Sequence, residues 1–213
     1  MPVQVTLSQI QTLAPNARSS YRDAFQKGQA VLDQYKISET PLRVAHFMAQ
    51  MLHESGGLMI QFENLNYSAE RLSKVWPSRF QPRGALNPID YAHNPQKLAN
   101  EVYGGRMGNN GHNDGFTYRG RGLLQITGKA GYQEATTRLS RENPTAPNFV
   151  SFPDEVISAK WCLATAASAW VSKGCNLPAD QDDIKKITRL INGGQIGLAD
   201  RLEWFRRTQS VWR

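Results

Sequence analysis

An apolar stripe between a capping pair and a Gly-Gly stop predicts a long helix early in the chain. Thr40 can cap this helix and Pro41 suits its first turn, because the N–H that proline lacks has no intrahelical partner there. The stripe consists of Leu42, Ala45, Met48, Ala49 and Leu52, and Gly56-Gly57 follows it. Similar signals recur to the end of the chain. The sequence therefore predicts a mainly α fold.

The remaining helix signals are of the same local kind. Asn94-Pro95 opens a helix that Gly104-Gly105 stops, and its apolar face consists of Leu98, Val102 and Tyr103. Two late helices are marked by Ile184, Ile187 and Ile191, ended by Gly193-Gly194, and by Leu198, Leu202 and Phe205. The stretch after Pro153 is apolar on nearly every side, and it predicts one helix at the centre of the molecule, carrying Val156, Ile157, Trp161, Leu163, Ala164, Ala167 and Trp170.

Strand signals are weak and few. They are confined to 58–65 and 122–127, so any sheet is very small and the class is mainly α, or α+β in that limited sense. The segment 104–120 is rich in Gly and Asn and has no periodicity. Because so long a loop in a compact domain is usually functional, we predict that it lies at the rim of a cleft.

Length and composition predict one globular domain over residues 1–213. The 213 residues, 40% hydrophobic and 20% charged, exclude disordered and fibrous classes. The net charge of +7 predicts attraction to polyanions, which include nucleic acid, anionic lipid and acidic wall polymers. No secretory signal is visible at the N-terminus, and Cys162 and Cys175 are predicted to be reduced structural thiols rather than a disulfide.

Two glutamates stand in contrasting surroundings. Glu54 lies at the end of the first long helix beside Met51 and Leu52, where the negative helix end and the apolar neighbours disfavour the ionised carboxylate. Glu63, nine residues on, has polar neighbours that keep a carboxylate hydrated. A proton donor paired with an ionised base is the recurring arrangement for cleaving a glycosidic bond. Two unrelated surface glutamates are the alternative, because a chain with 18 acidic residues offers many such pairs.

Other chemistries find less support. His53-Glu54 could begin a zinc protease helix, but that motif needs a second histidine where Gly57 stands. The loop around His112 and Asp114 lacks the spacing of a calcium hand, so neither a metal nor another cofactor is indicated. The run 118–122, Tyr-Arg-Gly-Arg-Gly, is of a type that grips nucleic acid, but it occurs once. We expect no nucleic-acid partner.

Three motifs in one order carry a family resemblance. They are His-Glu-Ser-Gly-Gly at 53–57, Tyr-Arg-Gly-Arg-Gly-Leu-Leu-Gln-Ile-Thr at 118–127 and Ile-Asn-Gly-Gly at 191–194. Together they resemble family 19 glycoside hydrolases, which comprise chitinases and related phage endolysins. The resemblance covers about residues 41–205 and implies a lysozyme-like, two-lobed helical fold with a central cleft, and hydrolysis with inversion at the anomeric carbon.

The resemblance also implies roles for single residues. Glu54 matches the general acid, Glu63 the general base, and Thr127 a residue that helps to hold the attacking water. Positions that match cleft residues, which bind sugar or support the base, are Gln125, Asn192 and Arg201, and we add Tyr118 and Arg121 as substrate-binding candidates. One position departs from the pattern, because Gly131 stands where the family often has Asn.

The short segment between the two glutamates, with its Glu-Asn-Leu-Asn-Tyr-Ser context at 63–68, resembles the phage endolysin branch more than plant chitinases. We therefore predict a monomeric enzyme that cleaves β-1,4 bonds of the peptidoglycan glycan strand. Residues 1–213 are expected to form its single catalytic domain, with two lobes around the cleft and no separate wall-binding module. It is expected in the host cytoplasm until lysis, when it reaches the periplasm and cell wall, where an anionic envelope surface is a further possible partner. The alternatives are a chitinase of the same family and a non-enzymatic basic protein that binds wall polymer or nucleic acid.

Overall fold

The regular secondary structure of the chain is helical, with almost no strand, in the computed structural model, which describes residues 1–213. Its α-helices are α1 (Leu7–Leu13), α2 (Ser19–Gln26), α3 (Gln29–Gln34), α4 (Pro41–Glu54), α5 (Ala69–Val75), α6 (Pro95–Tyr103), α7 (Asp114–Thr117), α8 (Lys129–Glu142), α9 (Cys162–Ser172), α10 (Asn176–Asp180), α11 (Ile184–Asn192) and α12 (Leu198–Val211). Two short 3₁₀-helices span Pro88–Asp90 and Pro153–Ile157. None of the helices combines the length and apolar content that a membrane span requires.

The predicted helix boundaries are confirmed where local capping sets them. In α4 the Thr40 hydroxyl accepts a hydrogen bond from the Arg43 N–H at 3.2 Å, and Pro41 occupies the first turn. Asn94 caps α6 in the same way at Lys97 N, 3.0 Å away. At the end of α11, Gly193 takes the left-handed conformation, with φ of 78°, that a side chain would oppose.

The predicted central helix is divided. A 3₁₀-helix covers Pro153–Ile157, a turn follows, and α9 begins only at Cys162. Residues 162–170 are all buried, so α9 does lie at the centre of the molecule. Burial on every side removes the periodicity that marks where a helix begins, which is why the sequence did not reveal the break. Cys162 and Cys175 are free buried thiols, and burial raises the pKa of each to about 12.

The small sheet of the prediction is reduced to isolated bridges. Phe62 and Arg121 form an antiparallel bridge, and Arg121 forms another with Ile126. The segments that carried weak strand signals therefore do meet, but they do not extend into strands. The loop 104–120 also contains the short helix α7, which its composition did not indicate.

The hydrophobic residues form separate clusters. The largest has 35 buried residues and includes much of α4 and α9. A second cluster lies between residues 65 and 102 and consists of Leu65, Leu72, Phe80, Leu98, Ala99 and Val102. Leu58 belongs to the first cluster and Leu65 to the second, so the segment that follows α4 leads from one cluster to the other.

The helices α4 and α12 pack closely against each other, although they are far apart in sequence. The Thr208 hydroxyl donates to the carbonyl of Ala45 at 2.9 Å. The ring of His46 stacks on Phe205 with centroids 3.9 Å apart. This packing places the first turns of α12 beside the last turns of α4, where the first of the two candidate glutamates lies.

Candidate active site

Glu54 is the last residue of α4, and its carboxylate is paired with a buried arginine. The guanidinium of Arg201, in the first turn of α12, donates to the Glu54 carboxylate and also to the side chain of Gln50. The side chain of Arg201 is 2% exposed and that of Glu54 is 19% exposed, so the pair is largely shielded from water. The guanidinium therefore fixes the position of this carboxylate.

Asn192 is joined to the same group through one backbone carbonyl. The oxygen of Ile196 accepts from the Asn192 side chain at 2.8 Å and from Arg201 Nε at 3.4 Å. On the other side, His53 Nδ1 lies 2.5 Å from a carboxylate oxygen of Asp200, which links the end of α4 to the start of α12. The structure thus brings together three predicted site residues, Glu54, Asn192 and Arg201.

Glu63 has neutral hydrogen-bond partners instead of a cation. Its backbone N–H donates to the carbonyl of Gly120 at 2.9 Å, and the Gly120 N–H lies 3.4 Å from the Glu63 carboxylate. The hydroxyl of Tyr103, at the end of α6, donates to the other carboxylate oxygen. Burial, and then this hydrogen bond, raise the pKa of Tyr103 above its ordinary value, so the phenol remains a donor.

Gly120 lies at the point where three of the predicted residues converge. A Cβ atom at this position would stand 2.9 Å from Gln125 Oε1 and 3.2 Å from both Glu63 Cβ and Thr127 Oγ1. The Thr127 hydroxyl donates to the carbonyl of Gln125 at 2.9 Å, and Gln125 Nε2 donates to that of Gly122 at 3.0 Å. Only a residue without a side chain leaves this arrangement intact, which explains a glycine between two arginines.

Tyr118 and Arg121, which we predicted to bind substrate, have internal roles in the structure. Tyr118 is 6% exposed and its hydroxyl donates to the carbonyl of Val150 at 3.1 Å. Arg121 is 3% exposed and donates to Asp154 at 2.8 Å, and to the hydroxyl of Tyr132 at 2.9 Å. Because these polar groups are engaged within the protein, the two residues support the loop, and their contact with substrate stays a prediction.

Two contributors escaped the sequence analysis. Tyr103 was assigned to the apolar face of its helix, and nothing in the local sequence distinguishes a tyrosine that packs from one that donates to a carboxylate. Gln50 lies in α4 beside the residues of the apolar stripe, is fully buried, and contacts Arg201. A polar residue inside an otherwise apolar stripe was the available signal, since a buried amide needs a partner.

The arrangement provides two carboxylates with different electrostatic partners. Glu54 faces a guanidinium, whereas Glu63 accepts hydrogen bonds from a phenol and a backbone N–H. The Thr127 hydroxyl lies on the same side of Gly120 as the Glu63 side chain. Such a set can donate a proton on one side, accept one on the other, and position a water molecule, which is the requirement for acid/base hydrolysis.

Comparison with known proteins gives relatives in sequence and in structure. The sequence matches no protein-family model. A Haemophilus influenzae protein described as a glycosyl hydrolase family 19 domain-containing protein is 35% identical over 167 residues, which is 78% of each chain. Chitinase C from Streptomyces griseus superposes with a TM-score of 0.65 at 17% identity, covering 99% of this chain and 93% of its own.

Two further solved structures share the fold. A bacterial family 19 chitinase has a TM-score of 0.61 at 20% identity, with 98% of this chain and 94% of its own covered. A class IV family 19 chitinase from Zea mays has a TM-score of 0.53 at 16% identity, with 96% and 89% covered. The predicted lysozyme-like helical fold is therefore confirmed.

Proposed function

The chain belongs to glycosyl hydrolase family 19, and from that premise we propose that it is an endolysin-type enzyme, which cleaves the β-1,4 bonds of the peptidoglycan glycan strand. The observation that carries the catalytic part of this proposal is the contrast between the two carboxylates. Glu54 is held by Arg201, while Glu63 is held by Tyr103 and Gly120. The contrast gives each carboxylate a separate role.

Glu54 is the general acid of the proposed mechanism. It protonates the glycosidic oxygen, so that the leaving sugar departs as an alcohol while positive charge develops at the anomeric carbon. The carboxylate that remains on Glu54 is then stabilised by the guanidinium of Arg201, which lies beside it before the reaction begins. Gln50 and the carbonyl of Ile196 keep that guanidinium in place.

Glu63 is the general base that activates water on the opposite face of the sugar ring. Tyr103 orients its carboxylate, and Thr127 offers a hydroxyl to the same water molecule. Attack on the opposite face inverts the anomeric carbon, which requires carboxyl groups about 6.5–9.5 Å apart when substrate is bound. Gln125 and Asn192 are proposed to contact the sugars, because they flank Glu63 and the Glu54 group respectively.

We propose peptidoglycan rather than chitin as the substrate for two reasons. The glutamates are nine residues apart, in the sequence context that resembles phage endolysins. The net charge of +7 favours an anionic polymer, whereas chitin is uncharged. We further propose that the enzyme acts as a monomer, stays in the host cytoplasm until lysis and then reaches the wall, with an anionic envelope surface as a secondary partner and no nucleic acid.

A direct comparison of substrates tests this function. Purified peptidoglycan and colloidal chitin are offered separately to the wild-type protein and to Glu54→Gln. New reducing ends from peptidoglycan alone, identified by mass spectrometry, support the proposal. Preferential release from chitin supports the chitinase alternative, and equal wall binding with no cleavage by either protein supports the non-enzymatic alternative. The matched control is Glu155→Gln, which removes a carboxylate outside the site.

A further inference from the structure

A polar pocket beside α6 and the second hydrophobic cluster has no part in the chemistry described above. It has a volume of about 480 Å³ and is lined by Tyr91, Asn94, Gln96, Lys97, Asn100, Glu101 and His112. Every one of these side chains carries a hydrogen-bonding group. Four of them belong to α6, the helix whose last residue, Tyr103, contacts the catalytic base Glu63.

The charges in this pocket leave one cation free. The carboxylate of Glu101 is paired with Arg79 at 3.0 Å, so its charge is already compensated. Lys97, one helical turn earlier, has no carboxylate within ion-pair distance, and its ammonium lies 4.5 Å above the ring of Tyr91. The ring holds a positive charge at a defined place while leaving its N–H donors available.

Hydrogen bonds hold the loop 104–120 in place against α6 at this pocket. Asn113 Oδ1 accepts from Gln96 at 3.0 Å and from Asn100 at 2.9 Å, and Asn100 Oδ1 accepts from the N–H of Phe116 at 2.9 Å. These bonds attach the loop 104–120 to α6 and carry His112, with an exposed imidazole, to the pocket. An ammonium, an imidazole and several amides on a fixed frame form a receptor for carboxylate and peptide groups.

The position of the pocket relative to the base fits a substituent of the glycan. Lys97 precedes Tyr103 by six residues, which is about 9 Å along a helix. Peptidoglycan differs from chitin in that alternate sugars carry a short peptide with free carboxylates. A peptide that leaves the strand beside Glu63 is long enough to reach Lys97. Chitin carries no group that needs this cation.

From this juxtaposition we infer that the pocket between Tyr91, Lys97 and His112 binds the acidic peptide attached to the glycan, and that it sets the preference for peptide-bearing strands. The inference rests on the proposed function and names the part of the substrate that gives specificity. Lys97 supplies the counter-charge and His112 a second polar contact. The amide nitrogen of Asn94 and the amide oxygen of Gln96, which form no hydrogen bond within the protein, are left for the peptide backbone.

The test compares intact peptidoglycan with the same glycan stripped of its peptides by an amidase, at about 0.15 M salt. At this ionic strength charges more than about 8 Å from the substrate are largely screened. The quantity measured is the ratio of kcat/KM for intact glycan to kcat/KM for stripped glycan. Loss of one hydrogen bond to a charged group predicts that Lys97→Gln lowers this ratio about tenfold. Lys97→Arg, which keeps the charge, should restore most of it.

The control is Lys185→Gln, which removes an exposed lysine from α11 and should keep the wild-type ratio. Circular dichroism checks that each variant is folded. An equal ratio for wild type and Lys97→Gln overturns the inference, as does a wild-type enzyme that cleaves both glycans equally well. If the wild type cleaves neither glycan, it is the proposed function that fails, so the two failures are distinguishable.

Discussion

The side chain of Arg201 changes the electrostatic surroundings that the sequence predicted for Glu54. The sequence analysis placed Glu54 at a negative helix end beside apolar neighbours, and both features oppose its charge. The structure adds the guanidinium of a residue 147 positions away, which supplies the missing counter-charge. Removing one partner of such a shielded pair leaves the other uncompensated, so we expect Arg201 to contribute to folding as well as to the proposed catalysis.

The two glutamates are expected to fail in distinguishable ways. Glu54→Gln removes the negative charge and the transferable proton but keeps the side-chain shape and an oxygen that can accept a hydrogen bond from Arg201. Turnover of peptidoglycan should therefore fall by roughly 10²–10⁴-fold while glycan binding persists. Glu63→Ala removes the base and leaves space in which azide can attack the opposite face of the sugar. Azide should therefore restore cleavage only to the Glu63 variant, with a glycosyl azide of inverted configuration as product.

The assay is loss of turbidity of a peptidoglycan suspension with and without azide, on variants whose folding is confirmed by circular dichroism. Azide does not supply the proton that the leaving group needs, so it cannot rescue Glu54→Gln on this substrate. Wild-type lysis by Glu54→Gln would remove the general-acid assignment. Wild-type lysis by Glu63→Ala would place the base at another residue of the cleft.

At the scale of the elements, helix boundaries set by neighbouring residues were predicted better than features that depend on contacts between distant segments. The caps at Thr40 and Asn94 and the stop at Gly193 depend on a few neighbouring residues, and the structure confirms all three. The break before α9 was not predicted because a fully buried helix has no polar face to mark its start. The family resemblance identified site residues that the structure brings together. It did not identify Tyr103, because the carboxylate that this tyrosine contacts, Glu63, lies on another segment.

The segment 120–127 packs closely against the candidate base Glu63, and Gly120 makes this packing possible. Gly120→Ala would place a methyl group 2.9–3.2 Å from Gln125, Glu63 and Thr127, so these side chains must move apart. We expect kcat/KM on peptidoglycan to fall at least tenfold, because a displacement of about 1 Å in a catalytic group has large effects on rate. Enzyme kinetics and thermal unfolding, measured together, check whether activity is lost more than stability.

Gly131→Ala is the matched control for this substitution. Gly131 lies within α8, and a Cβ there would make an ordinary contact, 3.5 Å from Ile126. Alanine in place of a helical glycine should stabilise the protein by about 0.5–1 kcal/mol and keep its activity. Equal activity of the Gly120 and Gly131 variants would show that the Gly120 region does not position the base.

At the scale of the whole molecule, several arginines and apolar residues of α12 are engaged within the protein and are not available to a membrane surface. The apolar side of this helix packs inward, with Phe205 and Trp212 buried, and Arg201 is used in the active site. Arg207 stacks on Trp204 at 4.1 Å and donates to the carbonyl of Leu13. This is the packing of an ordinary amphipathic helix, so we expect the proposed attraction to the envelope to come from charge distributed over the whole surface rather than from one lipid-binding face.

Distributed charge acts at long range and is sensitive to salt. With a net charge of +7, the enzyme should approach anionic peptidoglycan faster at about 0.01 M salt, where the Debye length is about 30 Å, than at about 0.3 M. We expect kcat/KM on peptidoglycan to fall roughly tenfold over this range, and kcat/KM on uncharged chitin oligomers to change little.

Replacing the exposed Lys185 and Lys186 by Gln removes two positive charges and lowers the net charge from +7 to +5. This variant should show a shallower salt dependence with the same kcat at saturating substrate, because the two lysines lie outside the catalytic groups. An identical salt dependence on both substrates, or none on peptidoglycan, would contradict a role for the overall charge in substrate capture.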